Sequence, residues 1–247
     1  MKNNRLNILL QLLVAFLFLG GIYLFIKPDK KTVQPSQNQG QTAQKVSKTA
    51  KKVDSLPKVS PKDWQLVLVN RDHVKEEMNP ELADVNGISV DKRIEQATAD
   101  FLAAAQAIDP QEHLISGYRS VAYQAELYQS YINQEKEKDP SLTQEAAEAL
   151  VQTYSQPAGA SEHQTGLAID MSTVDTLNAS DPEVAKAVQK IAPKFGFVLR
   201  FPKGKTKSTG VGYEDWHYRY VGKESALYMT KHNLTLEEYI TVLKEKQ

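Results

Sequence analysis

The chain contains no cysteine. That absence excludes a disulfide framework, a thiolate nucleophile, a cysteine zinc site and a lipidated cysteine anchor. It also lacks a net charge, with 30 basic and 30 acidic side chains, so it is no polyelectrolyte as a whole and no nucleic-acid partner is expected. What is present is 41% hydrophobic and 24% charged residues over 247 positions, enough for a globular core in one or two domains. The zero charge is a cancellation of unlike segments. Residues 1–26 carry Lys2 and Arg5 and no acid, residues 27–60 hold eight lysines against Asp29 and Asp54, and residues 61–247 hold 20 basic against 28 acidic side chains. The segments must do different jobs.

Leu6 to Ile26 is uncharged for 21 residues, which at about 1.5 Å per residue spans the hydrocarbon core of a bilayer. No Ala-x-Ala-like cleavage site follows it, so an uncleaved signal anchor is expected. Lys2 and Arg5 precede the run and Lys27, Lys30 and Lys31 follow it, so charge alone leaves its orientation open. From Lys27 to Ser60 the residues are Lys, Gln, Ser, Thr, Pro and small side chains, the composition of a solvated, disordered tether. Its lysines could meet anionic lipid headgroups or wall polymers, or simply keep a spacer soluble.

Residues 61–247 carry globular patterning. Trp64 to Val69 is rich in β-branched and apolar residues and predicts a strand, followed by an irregular stretch to about Ser89. Ile94, Ala97, Phe101, Leu102, Ala105 and Ile108 recur at helical spacing and predict a helix over 91–108. His113 to Ser116 reads as a short strand ending at Gly117. Helices are expected over 121–137 and 142–154, the second capped by Ser141 with Gln144, and another opens at Asp181-Pro182 and closes at Gly196. Phe197–Phe201 and Val211–Val221 read as strands, and Thr235 with Glu238 caps a last helix. Strands and helices mix without regular alternation, so an α+β domain with a small antiparallel sheet is expected.

Chemistry-bearing residues concentrate in Ser161-Glu162-His163-Gln164-Thr165-Gly166-Leu167-Ala168-Ile169-Asp170 and in Tyr213-Glu214-Asp215-Trp216-His217-Tyr218-Arg219. On a helix His163 and Asp170 would be about 10 Å apart along the axis, too far to share one ion. A turn at Gly166 leading into a strand can bring them together. His163, Asp170 and His217 would then form an N/N/O zinc site with one position open, the pattern of a catalytic zinc, and Glu214 would be free to act as a base. Singly, each residue has a plainer reading: a surface histidine, a turn-capping aspartate, a solvated acidic loop. His73, His113 and His232 have no partner pattern and read as structural or surface residues.

Together with Ser116-Gly117-Tyr118-Arg119-Ser120, these stretches resemble the VanY-type D-alanyl-D-alanine carboxypeptidases, zinc peptidases sharing a fold with D-Ala-D-Ala dipeptidases and the hedgehog signalling domain. The likeness runs over most of 63–243 in the same order, and extends to the L,D-carboxypeptidases that trim peptidoglycan tetrapeptides. It implies His163, Asp170 and His217 as zinc ligands, Glu214 as catalytic base and Arg119 as anchor for the substrate's terminal carboxylate. Gln124 and Ser161 match positions of the substrate pocket. The family often has Pro-Gly before Ser-Glu-His, whereas this chain has Pro157-Ala158-Gly159-Ala160, a departure at the pocket rim. The resemblance implies hydrolysis of the last peptide bond of peptidoglycan stem peptides by a monomeric, membrane-anchored enzyme on the wall side. Two other classes stay open, a non-catalytic wall-binding module and an endopeptidase, and so does the choice between D,D and L,D cleavage.

Overall fold

The computed structural model describes residues 55–176 and 178–246. The expected anchor at 6–26 and most of the tether lie outside them. Among the described residues no helix is long and apolar enough to cross a membrane. Among the described residues two β-sheets and seven α-helices build an α+β domain. Strands β1 (Leu82–Val85) and β2 (Ile88–Asp91) form a hairpin. The main sheet has the antiparallel order β3 (His113–Ser116), β4 (Ala168–Ser172), β6 (His217–Tyr220), β5 (Phe197–Leu199). The helices are α1 (Glu95–Gln106), α2 (Val121–Lys138), α3 (Gln144–Val151), α4 (Pro182–Ile191), α5 (Thr206–Thr209), α6 (Lys223–Lys231) and α7 (Leu236–Glu245).

Side chains alternate across a strand, so the sheet serves two faces. Ile169, Met171, Phe197, Leu199 and Tyr218 join Phe101, Leu102 and Ala105 of α1 in the main core. Val198 and Val221 instead join Leu66, Ala226, Met229, Leu236, Tyr239 and Leu243 in a second cluster that seats α6 and α7. Leu56 and Val59 pack against that second cluster as well. Asp170, His217 and Arg219 belong to the strand positions opposite the main core. A third, smaller cluster of Ile132, Ala147 and Val151 holds α2 against α3 as a separate helical hairpin.

Several local expectations are corrected. Trp64–Val69 is a 3-10 turn over Trp64–Leu66 followed by extended chain, not a strand, because the Gln65 and Val67 carbonyls accept hydrogen bonds from Arg219 Nη2 instead of a neighbouring strand. The stretch before Ser89 contains the β1–β2 hairpin, whose turn is Asn86-Gly87 with both residues at positive φ. That dipeptide is a strong hairpin signal. The 91–108 helix begins with a 3-10 turn at Lys92–Ile94, capped by Asp91, and is α-helical only from Glu95 to Gln106. Thr143, not Ser141, caps α3, because Ser141 is already bonded to Asp139. Of Val211–Val221 only His217–Tyr220 is strand. The helix from Asp181-Pro182 and the Thr235–Glu238 capping box form as expected, and Gly196 ends a 3-10 extension of α4.

Candidate metal centre and its cavity

The site begins with a turn. Glu162–Thr165 makes one turn of 3-10 helix that Gly166 terminates at φ 67°, and Ala168 then starts β4. A side chain on Gly166 would meet Asp91 N at 2.7 Å, so both the left-handed backbone and the close approach demand glycine here. The turn reverses the chain so that His163 faces Asp170. The β4–β6 register then pairs Asp170 directly with His217, and directly opposed residues on one face have Cβ atoms about 4.5–5.5 Å apart. Two sequence-distant stretches therefore converge through backbone pairing alone.

His163, Asp170 and His217 are all buried, and each offers one ligand atom within 4.8 Å of the others. His163 Nε2 lies 3.4 Å from Asp170 Oδ2, and His217 Nδ1 lies 3.2 Å from Asp170 Oδ1. His163 Nδ1 is 2.6 Å from the Gly117 carbonyl, so it must donate there and Nε2 is left as a lone pair. Burial, helped by the Arg119 charge, lowers the His163 pKa and keeps the ring neutral. For Asp170, burial favours the protonated acid, but His163 and His217 outweigh it and hold the carboxylate well below its usual range. His163 Nε2 and Asp170 Oδ1 are buried with no hydrogen-bond partner. Buried orphans of this kind carry an unpaid desolvation cost of about 1–3 kcal/mol each, and two imidazoles with one carboxylate are a donor set that suits zinc. The residues fit that metal.

Glu214 stands beside them, its Oε2 3.6 Å from His217 Nδ1. Burial pushes its pKa up to about 8; the His217 charge pulls it down and Asp170 pushes it up. A carboxyl titrating near neutrality suits proton transfer. For His217 burial opposes the charged form, but Asp170 and Glu162 prevail and raise it to about 9 in the metal-free site. Arg119 is presented by the loop between β3 and α2. Tyr118 N donates to Ser89 O, Arg119 N to His163 O, and Glu77 takes both the Tyr118 hydroxyl and Val121 N, fixing that loop on either side. Gly117 is obligatory, since a Cβ there would stand 2.2 Å from Ser89 O. Arg119 Nε is buried without a partner.

One cavity of about 90 Å³ joins these groups: Arg119, Ser161, His163, Asp170, Glu214, Trp216 and His217 all line it. Gln124 does not. It is buried, and its Nε2 donates to Gln156 O at 2.6 Å, so it supports the Ser155-Gln156 stretch that does line the cavity. Tyr131 and Tyr154, from α2 and the end of the α2–α3 hairpin, complete that wall and meet edge to face at 5.6 Å. These tyrosines, Glu77 and Arg200 were not foreseen as site residues. Only the position of Tyr131 and Tyr154 on a predicted helix pair hinted at a shared role. His73, His113 and His232 lie outside the cluster, bonded to Asn70, bonded to Gln111 and Asp175, and packed on Tyr228 respectively. Gly159 in the unusual lead-in, at φ 79°, pairs through its carbonyl with Lys75 N.

Comparison with known proteins agrees with this geometry. A curated D-alanyl-D-alanine carboxypeptidase of Enterococcus faecalis (strain ATCC 700802 / V583) is 37% identical over 185 residues, covering 74% of this chain and 68% of that protein. Among solved structures, a mutant of the vancomycin-resistance D,D-pentapeptidase VanY from a VanB-type cassette, in complex with Zn(II), superimposes with a TM-score of 0.64 at 36% identity, covering 72% of this chain and 99% of that one. An L,D-carboxypeptidase from Streptococcus pneumoniae, DacB, gives a TM-score of 0.57 at 32% identity, covering 70% of this chain and 84% of that one. The family model for VanY, D-alanyl-D-alanine carboxypeptidase, matches residues 87–223 and so encloses every residue of the centre. Sequence, fold and the convergence of β4 with β6 thus agree, and the chain belongs to the VanY family of D-alanyl-D-alanine carboxypeptidases.

Proposed function

We propose that the protein is a zinc-dependent exopeptidase that removes the C-terminal D-alanine from peptidoglycan stem peptides on the wall side of the membrane. The observation that carries this reading is the orphaned Arg119 Nε in the same small cavity as Glu214 and the His163–Asp170–His217 set. A guanidinium can take a free carboxylate in a charge-assisted, bidentate pair.

His163, Asp170 and His217 would hold the metal, which when bound supplies Lewis-acid polarisation and an acidified water. Glu214 takes the proton from the attacking water and returns it to the leaving amine. Arg119 holds the terminal carboxylate and so sets which peptide bond lies at the centre. Trp216 and Phe201 close the cavity on its apolar side. Gln124 acts through Ser155-Gln156, and Ser161 lines the substrate side. Peptidoglycan lies outside the membrane, so the 6–26 run would place the N-terminus inside. Leu56 and Val59 already pack against the second cluster, so a tether from Lys27 to Asp54, 28 residues, would give a reach of roughly 26–32 Å.

Mass spectrometry of muropeptides after incubation with the protein tests this. Loss of one alanine from a pentapeptide stem marks D,D cleavage, and from a tetrapeptide stem L,D cleavage. Products cut at an internal cross-bridge with intact C-termini would refute the exopeptidase reading.

A further inference from the structure

Glu162 lies between two residues of the centre, yet neither metal binding nor proton transfer uses it. It is almost fully buried. Its Oε1 accepts from Arg200 Nε and Arg219 Nη1, both at 2.8 Å. Those guanidinium groups are themselves fixed: Arg200 pairs with both oxygens of Glu237 on α7, and Arg219 Nη2 donates to the Gln65 and Val67 carbonyls. Two buried guanidinium groups are balanced by the buried Glu162 and the half-buried Glu237, and the Glu162 carboxylate has no freedom to turn. Its other oxygen, Oε2, has no hydrogen-bond partner and lies 3.6 Å from His217 Nε2, which has none either. Two buried orphans of complementary type face each other. The companion ring differs, because the outer nitrogen of His163 already has the Gly117 carbonyl at 2.6 Å.

We infer that Glu162 is a positioning residue for His217, its Oε2 receiving the Nε2 proton and thereby turning the Nδ1 lone pair toward Asp170 and the metal position. The inference rests on the zinc reading above. Outer partners of this kind fix the tautomer and ring orientation of a metal-bound histidine, and their loss weakens metal affinity by about 10–100-fold. The site is then wired, through Arg200 and Glu237, to the C-terminal helix.

Two measurements on the full-length protein test it. In the zinc-loaded wild type, ¹⁵N imidazole NMR should show His217 protonated at Nε2 and metal-bound at Nδ1; the opposite tautomer overturns the inference without touching the zinc reading. Absence of zinc binding altogether would defeat that reading instead. Chelator competition should then find zinc affinity about 10–100-fold weaker in Glu162→Gln, because an amide cannot accept from both guanidinium groups and the imidazole without turning its NH2 onto one of them. Glu237→Gln breaks the same ion network away from His217, and should lower thermal stability while leaving zinc affinity within about twofold. Equal zinc affinity in wild type and Glu162→Gln, or an equal loss in both variants, makes the network purely structural. Should Glu162→Gln fail to fold, the wild-type spectrum still decides.

Discussion

The β4–β6 floor of the cavity and the α2–α3 wall are built in opposite ways. The floor is backbone-registered and buried on both sides, with Ile169 and Tyr218 in the main core and Asp170, His217 and Arg219 opposite them in an ion network. The wall has its own small core of Ile132, Ala147 and Val151, and reaches the remainder mostly through polar ties. Arg71 donates to Gln152 O, Gln156 Oε1 and Gly210 O, and Gly212 N donates to Thr153 O. Chemistry that needs ligand atoms placed to tenths of an ångström sits on the first kind of structure. Contacts that choose among related substrates can sit on the second, where repacking costs less.

The largest effect should come from the floor. His217→Ala removes one ligand atom and should abolish stoichiometric zinc binding and activity together, read by metal analysis and peptide hydrolysis; retained activity in zinc-free protein would break the assignment. Glu214→Gln keeps shape and ligands but not the proton carrier, so kcat should fall by about 10²–10⁴ while zinc stays bound. Because His217 in the metal-free site holds its proton up to about pH 9, the incoming cation must displace it. Apparent zinc affinity should therefore rise by up to about tenfold per pH unit below that value and flatten above it. A pH-independent affinity would show that the ring is already neutral. The wall should respond last and differently. Ile132→Ala should raise amide exchange across α2 and α3 and alter KM by a few-fold, with protection of β4 and β6 and zinc affinity unchanged. If the sheet loses protection equally, the two regions are one cooperative unit and the contrast fails.

How far the sequence carried this picture follows the same division. The His163–Asp170–His217 set was legible because a glycine turn and a strand periodicity, both local signals, suffice to fold it. The Thr235–Glu238 capping box, the Asp181-Pro182 helix start and the main helix faces were legible for the same reason. Buried charge was not. Nothing in Arg200, Arg219 or Glu162 as residue types says that they lie inside, since Arg and Glu are ordinarily exposed unless paired, and their partners are distant in sequence. Trp64–Val69 misled because its alternation is satisfied by Arg219 and by the second cluster rather than by a strand. Gln124 was expected in the substrate pocket but lies behind its wall, bonded to Gln156 O, because whether a helix residue faces a cavity or props up its wall depends on tertiary packing.

The central claim, that Arg119 makes this an exopeptidase, is tested most directly by a cycle pairing Arg119→Ala with C-terminal amidation of the peptide, read as kcat/KM. A desolvated bidentate contact to a carboxylate is worth on the order of 2–4 kcal/mol. Amidation should therefore slow the wild type by about 30-fold to about 1,000-fold, and the Arg119→Ala variant hardly further, because both changes remove one interaction. Wild-type protein that cleaves the amide as fast as the free acid would contradict the account, and Arg119 would then have no part in reading the chain's end.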